Sequence, residues 1–235
     1  MDNKYSLTRA QNVFIAKRNI VDYIWKSANL EGIAVTYPDT QIIYDGGIVN
    51  GLTVDSVIAI NNLKYAWQFI LENDDLSYDY NLLCYIHKLV MDKLVLQGDL
   101  GKIRSTPVNI GGTKWKPDFP IESKIKEDLG AILSQSDKSM TEIAIEVMLF
   151  VMRSQMFIDG NKRVAMLFAN KIMIDNGCGI ITIANDIQSE FYEKLIKFYE
   201  TGDMSVLKKF IYDNAIDGLV FENKEEIKWN IFLQE

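Results

Sequence analysis

From Val164 to Ile174 the chain runs through apolar residues broken only by Asn170 and Lys171. A helix that is hydrophobic nearly all round has to be buried, so this segment predicts a central element against which the others pack. The residues leading into it, Gln155-Met-Phe-Ile-Asp159-Gly160-Asn161-Lys162-Arg163, set an acidic side chain, a Gly-Asn pair and two cations at the start of that helix. Free N–H groups and the positive end of the helix dipole lie there, and an anion such as a phosphate chain is readily held in such a place. By spacing alone the stretch equally describes an Asp-Gly turn before a core helix, with its cations solvated.

Helical periodicity recurs along the chain. A helix is expected from Leu7 to Leu30, with Gly32 as its terminator. Residues 33–52, broken by Pro38, Gly46, Gly47 and Gly51, read as a connector with a short extended piece. Thr53 reads as the N-cap of a long helix through Asn73. Further helices are expected at Tyr80–Leu96, Ile121–Leu133, Ser139–Arg153, Lys162–Asn176, Asp186–Thr201 and Ser205–Ile216. Gly177-Cys178-Gly179 ends the motif helix, Ile180–Ile183 is a very short strand or merely extended, and 221–235 reads as a last helix. The expected class is therefore all-α. Its parts are an N-terminal region (1–52), a core (53–220) and a C-terminal tail (221–235).

Between the helices, Gly101-Lys102-Ile103-Arg104 and Val108-Asn109-Ile110-Gly111-Gly112-Thr113-Lys114-Trp115-Lys116-Pro117 read as two short strands around a Gly-Gly turn. An exposed hairpin edge can pair with an extended segment of another protein. Trp115 is then an aromatic contact for that segment, or a side chain folded back on the core.

Composition excludes several chemistries. The only histidine, His87, sits on a mostly apolar helix and reads as a packed core residue. One histidine permits neither a multi-histidine metal site nor, once packed, a Ser/His triad. Cys84 and Cys178 are far apart in sequence and read as buried thiols. No phosphate-loop or dinucleotide fingerprint occurs. A net charge of −7 without blocks of like charge argues against non-specific nucleic-acid binding. No run approaches the roughly 18 apolar residues of a membrane span, and the N-terminal residues lack a signal core, so no membrane association is expected and the cytoplasm is the expected compartment.

Residues 155–163 resemble the signature of the Fic (Fido) family, H-x-F-x-[D/E]-G-N-G-R-x-x-R, and at Lys162 its Doc toxin branch, which ends in N-K-R. The resemblance implies a Fic-fold helical bundle with a β-hairpin flap at about 103–118. In that family AMP or phosphate passes from ATP, with Mg²⁺, to a hydroxyl of a target protein. By position, Phe157 matches the aromatic that anchors the loop and Asp159 the Mg²⁺-holding acid. Gly160, Asn161, Lys162 and Arg163 fall at the nucleotide-binding positions. Ile110, Gly111, Gly112, Thr113 and Trp115 fall in the flap that docks the target. Ser27-Ala-Asn-Leu-Glu31-Gly32 resembles the inhibitory motif [S/T]-x-x-x-E-[G/N], whose glutamate enters the nucleotide site.

Two positions depart from the pattern. Gln155 stands where the catalytic histidine belongs, and Met166 where a second arginine belongs. Glutamine takes no proton at useful pH and can only orient a hydroxyl or water. Loss of general-base help costs about 10²–10⁴ in rate. The resemblance thus implies nucleotide binding with weakened or absent transfer, or a non-catalytic nucleotide-sensing or target-binding module. Without the second arginine, Glu31 must be received by Lys162 or Arg163. Assembly with further copies of the chain stays open.

Overall fold

The structure, a computed structural model, describes residues 1–220; the helix expected over 221–235 lies outside them. The chain is helical, as its periodicity indicates. In order come α1 (Arg9–Arg18), α2 (Ile20–Leu30), α3 (Tyr37–Tyr44), α4 (Val54–Glu72), α5 (Tyr80–Val90), α6 (Glu122–Leu133) and α7 (Met140–Ser154). They are followed by α8 (Asn161–Asp175), β1 (Ile180–Ile181), a 3₁₀ turn, α9 (Gln188–Thr201), α10 (Ser205–Asn214) and β2 (Ile216–Asp217). The two strands pair antiparallel, Ile180 opposite Asp217 and Ile181 opposite Ile216.

Half of the α-helix starts among the described residues follow from capping chemistry. The hydroxyls of Thr8, Thr36, Thr53 and Ser139 and the carboxylate of Asp79 each accept an N–H of the first turn. Two sequence expectations are corrected here. The stretch from Leu7 to Leu30 is two helices broken at Asn19, whose φ of −108° and ψ of 12° leave the helical region. Residues 33–52 contain a helix, α3, because Pro38 falls in its first turn, where the missing N–H costs nothing.

The apolar segment from Val164 to Ile174 lies within α8 and is buried along almost its whole length, with α7 packed beside it. Its interior polar residues are satisfied. Asn170 pairs both ways with the backbone of Ile181, at 2.7 and 2.9 Å. The fully buried Lys171 reaches the carbonyl of Asn73 and Asp175 Oδ1. Gly177 closes α8 at φ 65°, and a β-carbon there would fall 1.8 Å from the Leu7 carbonyl oxygen, so only glycine serves. One continuous core results, with α2, α4, α5, α7, α8 and α9 all contributing, and it holds both ends of α8 in fixed places.

Among the described residues the 103–118 segment forms no strand pair, which corrects the expected hairpin. The turn at Gly111-Gly112 is present, with Gly112 at φ 84°. The arms below it are joined by a side chain. Arg104, 4% exposed, donates to the carbonyls of Gln155, Thr106, Pro117 and Asp118. Those carbonyls are taken by a guanidinium, and Pro107 and Pro117 have no N–H to give a ladder.

Candidate functional site

The junction between α7 and α8 carries the candidate site. Helix α7 stops because Gln155 turns left-handed, at φ 44° and ψ 47°. Few residues but glycine take that region without strain, so the stop must be held by its surroundings. Arg104 Nε donates to the Gln155 carbonyl at 2.7 Å, and the Arg104 backbone N–H to the Met156 carbonyl at 2.9 Å. Phe157, fully buried, stacks on the His87 ring with centroids 4.0 Å apart. Asn161 Oδ1 accepts the Phe157 N–H and Asn161 Nδ2 donates to the Phe157 carbonyl, both at 2.9 Å, closing the loop on itself.

His87 holds the loop from behind. Its Nδ1 accepts the Gly101 N–H at 2.9 Å, so Nε2 carries the proton and donates to the Asp159 carbonyl at 3.2 Å. Burial pushes its pKa down to about 4, which keeps the ring neutral. With both nitrogens engaged it has no free base to offer, and the structural part read from the sequence stands.

Gly160 begins α8 at φ 77°, and no side chain caps the helix. A β-carbon at Gly160 would lie 2.6 Å from Met91 Sδ. The Gly160 N–H donates to Asp159 Oδ1 at 2.6 Å. The N–H groups of the following first turn have no intrahelical acceptor. Asn161 and Lys162, which carry two of them, line a cavity of about 340 Å³. Its walls come from four places: Glu31; Val108 to Gly111; Gln155 and Ile158 to Lys162; and Tyr192, Leu195, Ile196 and Tyr199. The volume lies in the range of small-ligand sites.

The charges are already paired. Glu31, at the end of α2, lies 3.8 Å from both Lys162 Nζ and Arg163 Nε. Burial raises the Glu31 pKa, ahead of the opposing pull of Lys162 and Arg163. Lys162 Nζ also reaches the Tyr192 hydroxyl at 3.1 Å, and that hydroxyl donates to the Leu30 carbonyl. Arg163 reaches Asp159 Oδ2 at 3.3 Å, while its buried Nε has no hydrogen-bond partner. The Gln155 amide nitrogen donates to the Met152 carbonyl at 2.6 Å, and its oxygen accepts from Asn161 at 3.3 Å. Burial raises the pKa of the Tyr199 hydroxyl well above its ordinary value, so it stays protonated.

Asp159 is 62% exposed at the mouth of the cavity. Among the described residues no three His, Cys, Asp or Glu side chains come together, so the protein offers no cation cage of its own. An exposed carboxylate such as Asp159 is a ligand of the kind Mg²⁺ uses, since that ion takes one or two carboxylates and fills its shell from substrate oxygens and water.

The structure thus brings Gln155, Asp159, Gly160, Asn161, Lys162, Glu31, Ile110 and Gly111 to one cavity. Five of the residues singled out in the sequence lie off it, Arg163 among them. Ser27 sits behind, in a cleft with Met166, Trp67 and Arg163. Gly112 packs toward Ile196, and Thr113 donates to Glu200 at 2.6 Å. Trp115, half-buried, stacks on Tyr199 with centroids 5.5 Å apart, which is the folded-back alternative. Sequence reading missed Tyr192 and Tyr199, which share the buried face of α9; the apolar spacing of that helix was the available signal. It also missed the clamp at Arg104. Among the described residues no helix is long and apolar enough to cross a membrane.

Residues 77–173 match the sequence model of the Fic/DOC family. Among solved structures, a segment of Fic-1 from C. elegans is similar at a TM-score of 0.68 and 21% identity, over 84% of this chain and 60% of that one. A Fic family protein from Desulfovibrio desulfuricans G20 is similar at 0.68 and 19%, over 84% and 62% of the two chains. BepC, a VirB-translocated effector from Bartonella tribocorum solved with bound AMPPNP, is similar at 0.52 and 18%, over 67% and 84%. The chain therefore spans about three fifths of the length of the first two structures. At such identities the likeness concerns the fold. No curated protein matches the chain.

Proposed function

The chain carries a domain of the Fic/DOC family, and from that premise we propose that the cavity at the start of α8 takes the phosphate chain of ATP together with Mg²⁺. The function is related to transfer of AMP, or of phosphate, to a hydroxyl of a target protein. The carrying observation is that a single cavity of about 340 Å³ is lined by residues of the uncapped start of α8, by Asp159 and Lys162, and by the 108–111 arm. BepC, with the same fold, was solved with AMPPNP bound.

In this reading the first-turn amides of α8 and Lys162 receive phosphate oxygens, and Arg163 supplies charge from behind. Asp159 would hold Mg²⁺, which when bound neutralises phosphate charge. The target hydroxyl attacks the transferred phosphorus, the P–O bond to the leaving group breaks, releasing pyrophosphate in AMP transfer or ADP in phosphate transfer, and the hydroxyl proton passes to solvent. Positioning and charge stabilisation carry most of such a transfer. Gln155 accepts no proton, which removes about 10²–10⁴ in rate relative to a histidine there. Glu31 competes with the phosphates for Lys162 and Arg163 and has to move, with the end of α2, before they are bound productively. The compartment in this reading is the cytoplasm.

One observation favours a second reading, a nucleotide-sensing or target-binding module without chemistry. Both ends of the Gln155 amide are committed to Met152 and Asn161, leaving little to orient a nucleophile. The two readings separate when the protein is incubated with lysate and ATP labelled at either the α or the γ phosphate, using Glu31→Gly and Gln155→His variants. Labelling by Glu31→Gly alone supports the transferase, and the labelled position distinguishes AMP from phosphate transfer. Labelling only once histidine is present supports the module. Absence of ATP affinity by calorimetry in every variant contradicts both.

A further inference from the structure

A second, larger cavity lies on the outer side of the 103–118 segment. It is an apolar groove of about 620 Å³ between that segment, α6 and the C-terminal ends of α7 and α9. Trp115, Ile125, Phe150 and Phe198 contribute to its walls, and Phe119 and Ile121 stand 59% and 62% exposed along it. Large apolar side chains that exposed, gathered in one concave place, mark an interaction surface. Trp115 joins the groove to the nucleotide cavity, because Tyr199, on which it stacks, belongs to the other wall.

Of the charged residues that line the groove, Lys124 is paired with Asp128, which leaves Arg153 and Asp118, and Lys114 and Lys116 flank its wall residue Trp115 in the chain. The chain as a whole is acidic, at −7, yet residues 101–118 carry Lys102, Arg104, Lys114 and Lys116 against the single acid Asp118. Lys102, Lys114 and Lys116 are exposed, and among the described residues none of them forms an ion pair, whereas Lys124 and Lys126 are paired with Asp128 and Glu122. Within the groove, Arg153 lies over the rings of Trp115 and Phe198, at 5.1 and 5.9 Å, and touches no carboxylate among the described residues. Its buried Nε–H has no hydrogen-bond partner.

We propose that this groove is where the target protein docks, and that it takes an extended acidic segment carrying one bulky apolar side chain. The apolar side chain fills the space beside Phe119 and Phe150, a carbonyl or carboxylate oxygen accepts from Arg153, and the flanking acids lie along Lys114 and Lys116. The segment then leads past the 108–111 arm to the mouth of the nucleotide cavity. This rests on the reading of the protein as one that engages a target protein.

The test is fluorescence anisotropy with short fluorescein-labelled peptides in which acidic residues flank a central phenylalanine, against controls with lysine for the acids or serine for the phenylalanine. The acidic peptide is expected to bind, to weaken with added salt, and to outcompete both controls. Lys114→Glu with Lys116→Glu, and separately Phe119→Ser, are surface changes and should each weaken it about tenfold or more. Binding no stronger than the lysine control, binding indifferent to these variants, or no binding overturns the proposal. Calorimetric ATP titration of the same variants is expected to be unchanged. ATP binding without peptide binding sinks the groove alone, and peptide binding without ATP affinity sinks the nucleotide reading alone.

Discussion

Replacing Gly160 with alanine strikes the point where backbone geometry and the candidate site meet. Two costs can be worked from the structure. At φ 77° and ψ 4° an L side chain sits in the left-handed region, which costs about 1–2 kcal/mol. The new β-carbon would lie 2.6 Å from Met91 Sδ and 2.8 Å from Met91 Cγ, and Met91 is fully buried, so its thioether must be forced into packed surroundings at about 1–3 kcal/mol. Alanine restricts the unfolded chain and returns about 0.4–1 kcal/mol. The expected net loss is about 1–4.6 kcal/mol. Urea unfolding followed by tryptophan fluorescence measures it, provided the slope of the transition is unchanged. Gly130→Ala is the internal control. Gly130 is helical, lies outside the left-handed region and has nothing within 4 Å of its β-position, so alanine there should be neutral or stabilising. A Gly160→Ala loss under about 0.5 kcal/mol, or no larger than that of Gly130→Ala, would refute the geometry assigned to this turn.

Other outcomes follow from the same contacts. The folded His87 pKa of about 4 lies below its ordinary 6.5, so the unfolded chain binds the extra proton between them. Stability is therefore complete above about pH 6.5 and is lost as pH falls toward 4, by about 3 kcal/mol; His87→Asn should flatten that slope in urea titrations across the range. Glu31 has the opposite sign. Its raised pKa makes stability greatest at low pH and lost as pH rises through the folded value, so Glu31→Gln should raise the melting temperature at pH 7 while tightening ATP binding in calorimetry. Arg104→Ala removes a guanidinium shared by four carbonyls and should cost about 2–4 kcal/mol, with hydrogen exchange speeding up first in residues 104–118.

Much of this was legible locally. The all-round apolar run specified α8, and Gly177 its end, because both are decided within a few residues. Thr53 and Ser139 marked helix starts for the same reason. The motif at 155–163 showed which groups gather at the start of α8. Pro38 misled because a proline breaks a helix interior yet opens a first turn, and only the Thr36 cap distinguishes the two. The strand expectation around Gly111 failed because a turn signal says nothing about whether its arms pair. Here Arg104, in the first arm itself, takes carbonyls of both arms with its guanidinium. The α9 wall, with Tyr192 closing on Leu30 and Tyr199 on Trp115, arises from contacts across the fold that no spacing encodes. Glu31 was legible as a candidate gate, but its 3.8 Å approach to both cations depends on where α2 docks.

The most direct measurement is a crystal structure of the Glu31→Gly variant soaked with Mg²⁺ and a non-hydrolysable ATP analogue. The account predicts phosphate oxygens about 3 Å from the main-chain nitrogens of the first turn of α8, with Lys162 turned from Tyr192 toward them. Phosphates bound elsewhere, or a cavity that excludes the nucleotide while the loop keeps its shape, would contradict it.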